Sequence, residues 1–346
     1  MEVESELKTL ITVGLFTYVS LSYCYHIAAK IPKGLPRLLA LLPVMVLLFI
    51  FPFKLHSIYL CHPLVLCLSC HTNFNLLSLA FDRGPLSPPK AADLDVFILT
   101  ACSPFKIKQP HHSKVPLDLI LEAASKGSLW IVFTLVSYSY KECFHRLVWL
   151  LIFGFQVWLA VDVLLTMVVI PAQVILRVEL EPHFNSPLLA SSLQDFWGRR
   201  WNLRVSETLR LVVYDPIKSV SIRLIGARWS SLPPVFVTFV VSGLIHELLY
   251  YSILRKNPTW EITLFFVLHG IFVDMEIILK KKLKLRLHRA ITGPLAMANL
   301  TVTSVCLVLA PLLRNRVDER IIYEFNLFLG FFSGLFPWRS LNFQKL

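Results

Sequence analysis

LPPVFVTFVVSGLIHELLYYSIL, residues 232 to 254, is a 23-residue apolar run with one histidine and one glutamate at its centre. Its length matches the roughly 20 residues a helix needs to cross a bilayer, and Pro233 and Pro234 suit the first helical turn. Placing an ionisable side chain at mid-membrane costs roughly 2.5–3.5 kcal/mol even on a lenient insertion scale. Inside a membrane, function is the default reading of such residues, and the bland alternative is an interhelical hydrogen bond.

The rest of the chain extends this reading. Its 346 residues are 55% hydrophobic and 16% charged, with mean hydropathy +0.64. That is too little charge for a soluble surface. The expected fold class is therefore all-α, a polytopic transmembrane helical protein with about nine spans. The candidate spans are Leu7–Ala29, Leu35–Phe53, Ile58–Phe81, Leu117–Tyr140, Leu147–Ile170, Leu232–Leu254, Ile262–Leu279, Pro294–Leu313 and Ile321–Phe336. Asp93–Phe105 and Glu207–Tyr214 are too short to cross. The N-terminal MEVESELK is acidic, unlike the positive start of a cleavable signal, so the first span reads as retained. With no internal repeat and no low-complexity linker, residues 1–346 read as a single membrane domain.

A net charge of +12 could suggest nucleic acid, but the basic residues gather at span ends. KKKLKLRLHR, residues 280–289, follows a span directly and reads as a cytosolic topology signal. Nucleic acid is excluded as a partner, and membrane lipids are expected. CHPLVLCLSCH, residues 61–71, packs three of the seven cysteines and two histidines into eleven positions. A continuous helix cannot aim all five at one point, so no metal is expected.

The longest polar connection runs from about Leu176 to Ser206. Loops this long are usually functional or disordered, and three aromatics within seven residues argue against disorder. Phe196, Trp197 and Trp201 can form an apolar wall, Asn202 offers a donor and an acceptor, and Arg199 and Arg200 can meet phosphates as rigid forks. In the opening run, Ser242, His246 and Tyr250 recur at i, i+4 and i+8, one stripe of a helix, with Glu247 about 100° away. A neutral imidazole on that stripe can take the proton of an alcohol as its oxygen attacks an acyl carbon, and Asn202 could steady the oxyanion or hold a thioester.

SLQDFWGRRWN, ending at Asn202, is followed 44 positions later by the His246 of SGLIHE. This pair resembles the signature motifs of the membrane-bound O-acyltransferase superfamily, and within it the plant long-chain-alcohol O-fatty-acyltransferases, the wax synthases. MEVESELK, NFNLLSLAFDRGPLS, ELEPHFN, FVVSGLIHEL, VLHG and RLHRAITGPL are also similar to that family, so the resemblance spans nearly the whole chain. It implies an enzyme of the endoplasmic reticulum membrane that, in an acyl-transfer cavity between helices, moves a fatty acyl group from acyl-CoA to a long-chain fatty alcohol without a cofactor. His246 would be the general base and Asn202 its partner. Trp197, Arg199, Arg200, Trp201, Ser242, Glu247 and His269 are the candidate substrate-binding residues. Where larger sterol and diacylglycerol acyltransferases carry an acidic residue and a second Trp before the W-N pair, this chain has Arg199 and Arg200.

Two other readings are carried forward: a sterol O-acyltransferase, and a membrane transporter using Ser242, His246, Glu247, His269, Asp274 and Glu276. The spans lack the paired Gly/Pro-broken segments of an inverted repeat, which counts against the transporter. Oligomeric state is not encoded in these patterns.

Overall fold

A computed structural model describes residues 2–87, 93–103, 117–140, 143–176, 183–283 and 288–335. Among them there is no strand. Six helical stretches are long and apolar enough to cross a membrane: Val3–Lys30, Leu35–Lys54, Ile58–Ala80, Leu232–Leu254, Glu261–Lys282 and Arg289–Arg314. The chain is thus a multi-pass membrane protein whose regular elements, among the described residues, are all helical. The other three segments expected to cross are helical over Leu117–Ser139, Arg146–Leu176 and Val317–Leu335. The short apolar run after Asp93 forms the nine-residue helix Leu94–Cys102, and the one after Glu207 lies within a continuous helical stretch, residues 203–225. Lys284 and Arg286 of the basic run, and 177–182 of the long connection, lie outside the described residues.

The chain packs as two compact units. The first comprises Met1–Pro104, Val205–Lys282 and Leu312–Leu341; the second comprises Phe105–Arg204, Leu283–Pro311 and Asn342–Leu346.

In the first unit the helices have two distinct ends. At one, Glu6 accepts the amide protons of His56 and Ser57 at 3.1 and 3.2 Å, and Glu324 accepts those of the Ser57 hydroxyl and Ile58 amide at 2.9 and 2.6 Å. Arg320 donates to the carbonyls of Ile253 and His56, both at 2.7 Å, and Arg255 to those of Phe53 and Leu55. At the opposite end the Gly34 amide donates to Ala80 O at 2.7 Å, Arg37 pairs with Asp82, and Lys281 donates to Arg228 O at 2.7 Å. These bonds satisfy helix-terminal groups that a membrane would leave without water. The core between the ends is Leu21, Leu41, Leu48, Leu76, Leu79 and Phe97, all essentially closed off.

Helices 232–254 and 261–283 form a hairpin in this unit. At Gly243 a Cβ would meet Thr263 Cα at 3.1 Å, and at Gly270 it would meet Phe239 Cβ at 2.9 Å. Small residues allow the two backbones to approach closely, the usual basis of helix association in lipid.

In the second unit, helices 117–139 and 146–176 pack side by side, joined by a 2.6 Å ion pair between Lys126 and the buried Asp162. Residues 190–191 lie on the start of helix 289–304: Thr292 donates to Ser191 O at 2.6 Å, and a Cβ on Gly293 would stand 3.0 Å from Ala190 O.

Candidate active site

The helix 232–254 carries His246 eight residues from its C-terminal end and fourteen from its start. At 1.5 Å per residue these are depths of about 12 and 21 Å, well inside the apolar thickness. His246 Nδ1 lies 2.7 Å from Ser242 O. A carbonyl can only accept, so Nδ1 carries the hydrogen, and the neutral ring then presents its lone pair at Nε2. This local bond fixes the tautomer a general base requires. The ring is held from one side by Phe266 of the neighbouring helix, centroid to centroid 4.2 Å at 33°. His269, fully buried one turn on from Phe265, repeats the pattern with Nδ1 at 2.8 Å from Phe265 O.

Glu247 points elsewhere. Its carboxyl oxygens accept from the Trp260 amide at 3.1 Å, the Thr263 amide at 3.3 Å and the Thr263 hydroxyl at 2.9 Å. These are donors at the N-terminus of helix 261–283, where orphan amides and the helix dipole favour an acceptor. Glu247 is therefore a cap supplied from the facing helix, and it fixes the register that sets Phe266 against His246. Ser242 is buried beside Gly243 and gives its carbonyl to His246.

A second histidine adjoins this region. Helix 58–64 packs on helix 232–254 through Cys61, Val65 and Leu249. His62 Nδ1 stands 3.0 Å from Ser252 Oγ, whose own proton goes to Leu249 O at 2.6 Å. Of its cysteine-rich neighbours, Cys61 accepts from Arg255 at 3.1 Å and His71 pairs with Asn75 at 3.0 Å. Among the described residues no three His, Cys, Asp or Glu side chains gather in a way that could hold a metal.

The second unit holds the Asn202 segment. Ser192 caps helix 193–199 by accepting the Asp195 amide at 3.2 Å. Asp195 accepts from the Ser191 amide at 3.0 Å and from Arg200 Nε at 2.7 Å. Burial works against its ionised form, but the Ser191 amide and the Arg200 guanidinium outweigh it and hold the carboxyl below its usual range. Arg200 also donates to Ser186 O at 3.1 Å and Asn185 O at 3.3 Å, while its own carbonyl accepts the Asn185 amide at 2.9 Å. The guanidinium is thus the tie that closes residues 185–200. Arg199, its neighbour in sequence, is exposed.

The aromatic wall forms as a cluster: Trp201 stacks on Phe196 at 5.3 Å and tilts against Phe184 at 4.9 Å, with Trp197 edge-on to Phe196 at 5.1 Å. Trp201 and Arg200 both donate their amides to Phe196 O, which ends the helix, and Asn202 follows with φ 38°. Asparagine enters this left-handed region more readily than most residues, so the W-N order suits a turn that reverses the chain at this point. Beneath it, His183 is buried and accepts the Leu203 amide through its carbonyl at 2.9 Å. Burial lowers its imidazole to about 4, with Asp162 opposing and Arg204 assisting.

Sequence reasoning did not find Phe266, Thr263 or Asp195, and it weighed His62 only as a metal ligand. Each acts through a partner 3 to 190 positions away, and the only local hint was Asp195 three residues after Ser192, the spacing of a capping turn.

Comparison with known proteins agrees with the motif resemblance. The pattern of the Membrane bound O-acyl transferase family matches residues 180–268, which include both Asn202 and His246. The chain is 41% identical over 330 residues to Probable long-chain-alcohol O-fatty-acyltransferase 1 of Arabidopsis thaliana, covering 93% of this chain and 96% of the relative. It is 37% identical over 354 residues to Long-chain-alcohol O-fatty-acyltransferase of Simmondsia chinensis, covering 98% and 100%. At this identity along nearly the full length of both chains, the protein belongs to the long-chain-alcohol O-fatty-acyltransferase family of membrane-bound O-acyltransferases.

Proposed function

We propose that this protein esterifies a long-chain fatty alcohol with the acyl group of acyl-CoA, giving a wax ester, in the endoplasmic reticulum membrane. The observation that carries the reading is His246, with Nδ1–H tied to Ser242 O and Nε2 left as the basic nitrogen deep in an apolar helix pair. Nε2 takes the hydroxyl proton as the alcohol oxygen attacks the thioester carbonyl. The new C–O bond forms, the C–S bond breaks, and the imidazolium returns its proton to the departing CoA thiolate. Asn202 serves the developing oxyanion or the thioester. A thioester is already activated, so the reaction calls for neither a cofactor nor a metal.

The proposal includes about nine spans around an acyl-transfer cavity, which admits both apolar substrates and keeps water from the thioester. Charge supports the orientation. Lys30, Lys33, Arg83, Arg228 and Lys280 to Lys282 gather at one end of the first unit, where Asp82 pairs with Lys33 and Arg37 and Glu276 with Lys280, while the other end mixes Glu6, Glu261, Asp318, Glu319 and Glu324 with its cations. By the positive-inside rule the first end is cytosolic.

Expression in a yeast strain lacking its neutral-lipid acyltransferases, with labelled fatty alcohol supplied, tests the reading by lipid profiling. Labelled wax esters are the expected product. Sterol esters in their place would transfer the assignment to the sterol alternative, and no ester of either kind from correctly inserted protein would refute acyl transfer.

A further inference from the structure

The helix Asp215–Ile225 is amphipathic and ends beside the cytosol-assigned end of the first unit, yet among the described residues its apolar side is left uncovered. Val220 is 56% exposed and Leu224 77%. With Pro216, Ile217 and Ile225 these side chains form one wall of an open-sided groove of about 430 Å³, and Pro233 at the start of helix 232–254 contributes to the other. The single polar lining group, Ser221, gives its hydroxyl proton to Ile217 O at 2.9 Å, so its proton is not offered to a polar ligand in the groove.

The chain leading to Pro233 carries charge. Lys281 donates to Arg228 O at 2.7 Å and to Ser231 Oγ at 3.2 Å, two residues before Pro233. Lys281 and Arg228 both lie over the Trp229 ring, 5.7 and 5.3 Å from its centroid. Both cations are exposed, and Lys280 and Lys282 flank one of them. An apolar groove beside a tryptophan carrying cations matches one chemistry: an acyl chain attached directly to an anionic head group at the membrane surface.

We propose that this groove binds one anionic phospholipid, its acyl chain against Val220 and Leu224 and its phosphate met by Arg228 and Lys281. Acyl-CoA shares the anionic and apolar character but fits the place badly. A donor whose chain lay here would leave its thioester at the groove, while His246 lies about 21 Å further along helix 232–254 from Leu232. The site is therefore separate from the transfer reaction proposed above and stands or falls independently of it.

The test uses the full chain purified in detergent, stripped of lipid and titrated with dioleoylphosphatidylglycerol or dioleoylphosphatidylcholine, with bound lipid counted by native mass spectrometry. One phosphatidylglycerol should be retained in preference to phosphatidylcholine. Arg228→Gln and Lys281→Gln should each weaken it about fivefold, the scale of one basic residue at an anionic surface. Lys281→Arg should retain binding, and Leu224→Trp should weaken it by filling the groove with every charge intact. Melting temperatures matching the native protein would show that these variants fold. Equal retention of the two lipids, or undiminished occupancy in a folded Arg228→Gln, Lys281→Gln double variant, would reduce the groove to ordinary lipid contact. Displacement of the lipid by micromolar acyl-CoA would overturn the proposal in favour of a donor site.

Discussion

Glu247→Ala separates a structural carboxyl from a chemical one. The native side chain accepts from the Trp260 amide, the Thr263 amide and the Thr263 hydroxyl at 3.1, 3.3 and 2.9 Å. Truncation leaves the hydroxyl a second acceptor, Gly243 O at 3.3 Å, but strands two amides at a helix terminus within an apolar hairpin. Each stranded donor costs about 1–3 kcal/mol, so the loss should be about 2–6 kcal/mol. That is a large part of a typical total of about 5–15 kcal/mol. Glu247→Gln keeps one carbonyl acceptor and should recover about half. The assay is thermal unfolding of purified protein beside transfer activity normalised to folded protein. Melting should fall steeply in Glu247→Ala and modestly in Glu247→Gln, with turnover per folded molecule changed far less than by loss of His246. A Glu247→Ala protein that melts like the native one yet transfers nothing would refute the capping role and place the carboxyl in the chemistry.

His246→Ala removes only a bond within its own helix and one ring contact, so melting should hardly change while transfer falls by about 10²–10⁴, measured with labelled acyl-CoA. A His246→Ala, Asn202→Ala double variant should lose much less than the product of the single losses if both serve one transition state, which single-turnover rates would reveal. Arg200→Gln should lower melting by untying residues 185–200, whereas Arg199→Gln should leave melting alone and raise the KM for acyl-CoA with weaker salt dependence. His183 is held at about 4 against an ordinary 6.5, so the unfolded chain binds its proton first on acidification. Stability should therefore decline as pH falls from about 6.5 towards 4, by up to roughly 3 kcal/mol, and His183→Gln should flatten that slope in denaturation curves.

What the sequence could state by itself followed from properties that are local along the chain. Membrane crossing needs only length and hydropathy, which is why Leu232–Leu254 was read to the residue and six expected spans recur as apolar helices. The His246 stripe was equally legible, since i and i+4 meet on any helix, and the same spacing delivers the bond to Ser242 O. Helix 58–80 was expected as one regular span but passes through a π-helical stretch at Val65–Thr72, because hydropathy is blind to hydrogen-bond register.

Tertiary structure alone decided what the polar side chains do. Arg199 and Arg200 are identical to any composition argument, yet one is exposed and the other is committed to Asp195 and two carbonyls. Glu247 and His246 are adjacent in sequence, but 100° of helical rotation turns one to the amides of the next helix and the other to Phe266. Hydropathy sums over neighbours in the chain, whereas a hydrogen bond depends on a partner brought near by packing, and that partner can be 13 residues away, as Trp260 is from Glu247, or 190, as Ser252 is from His62.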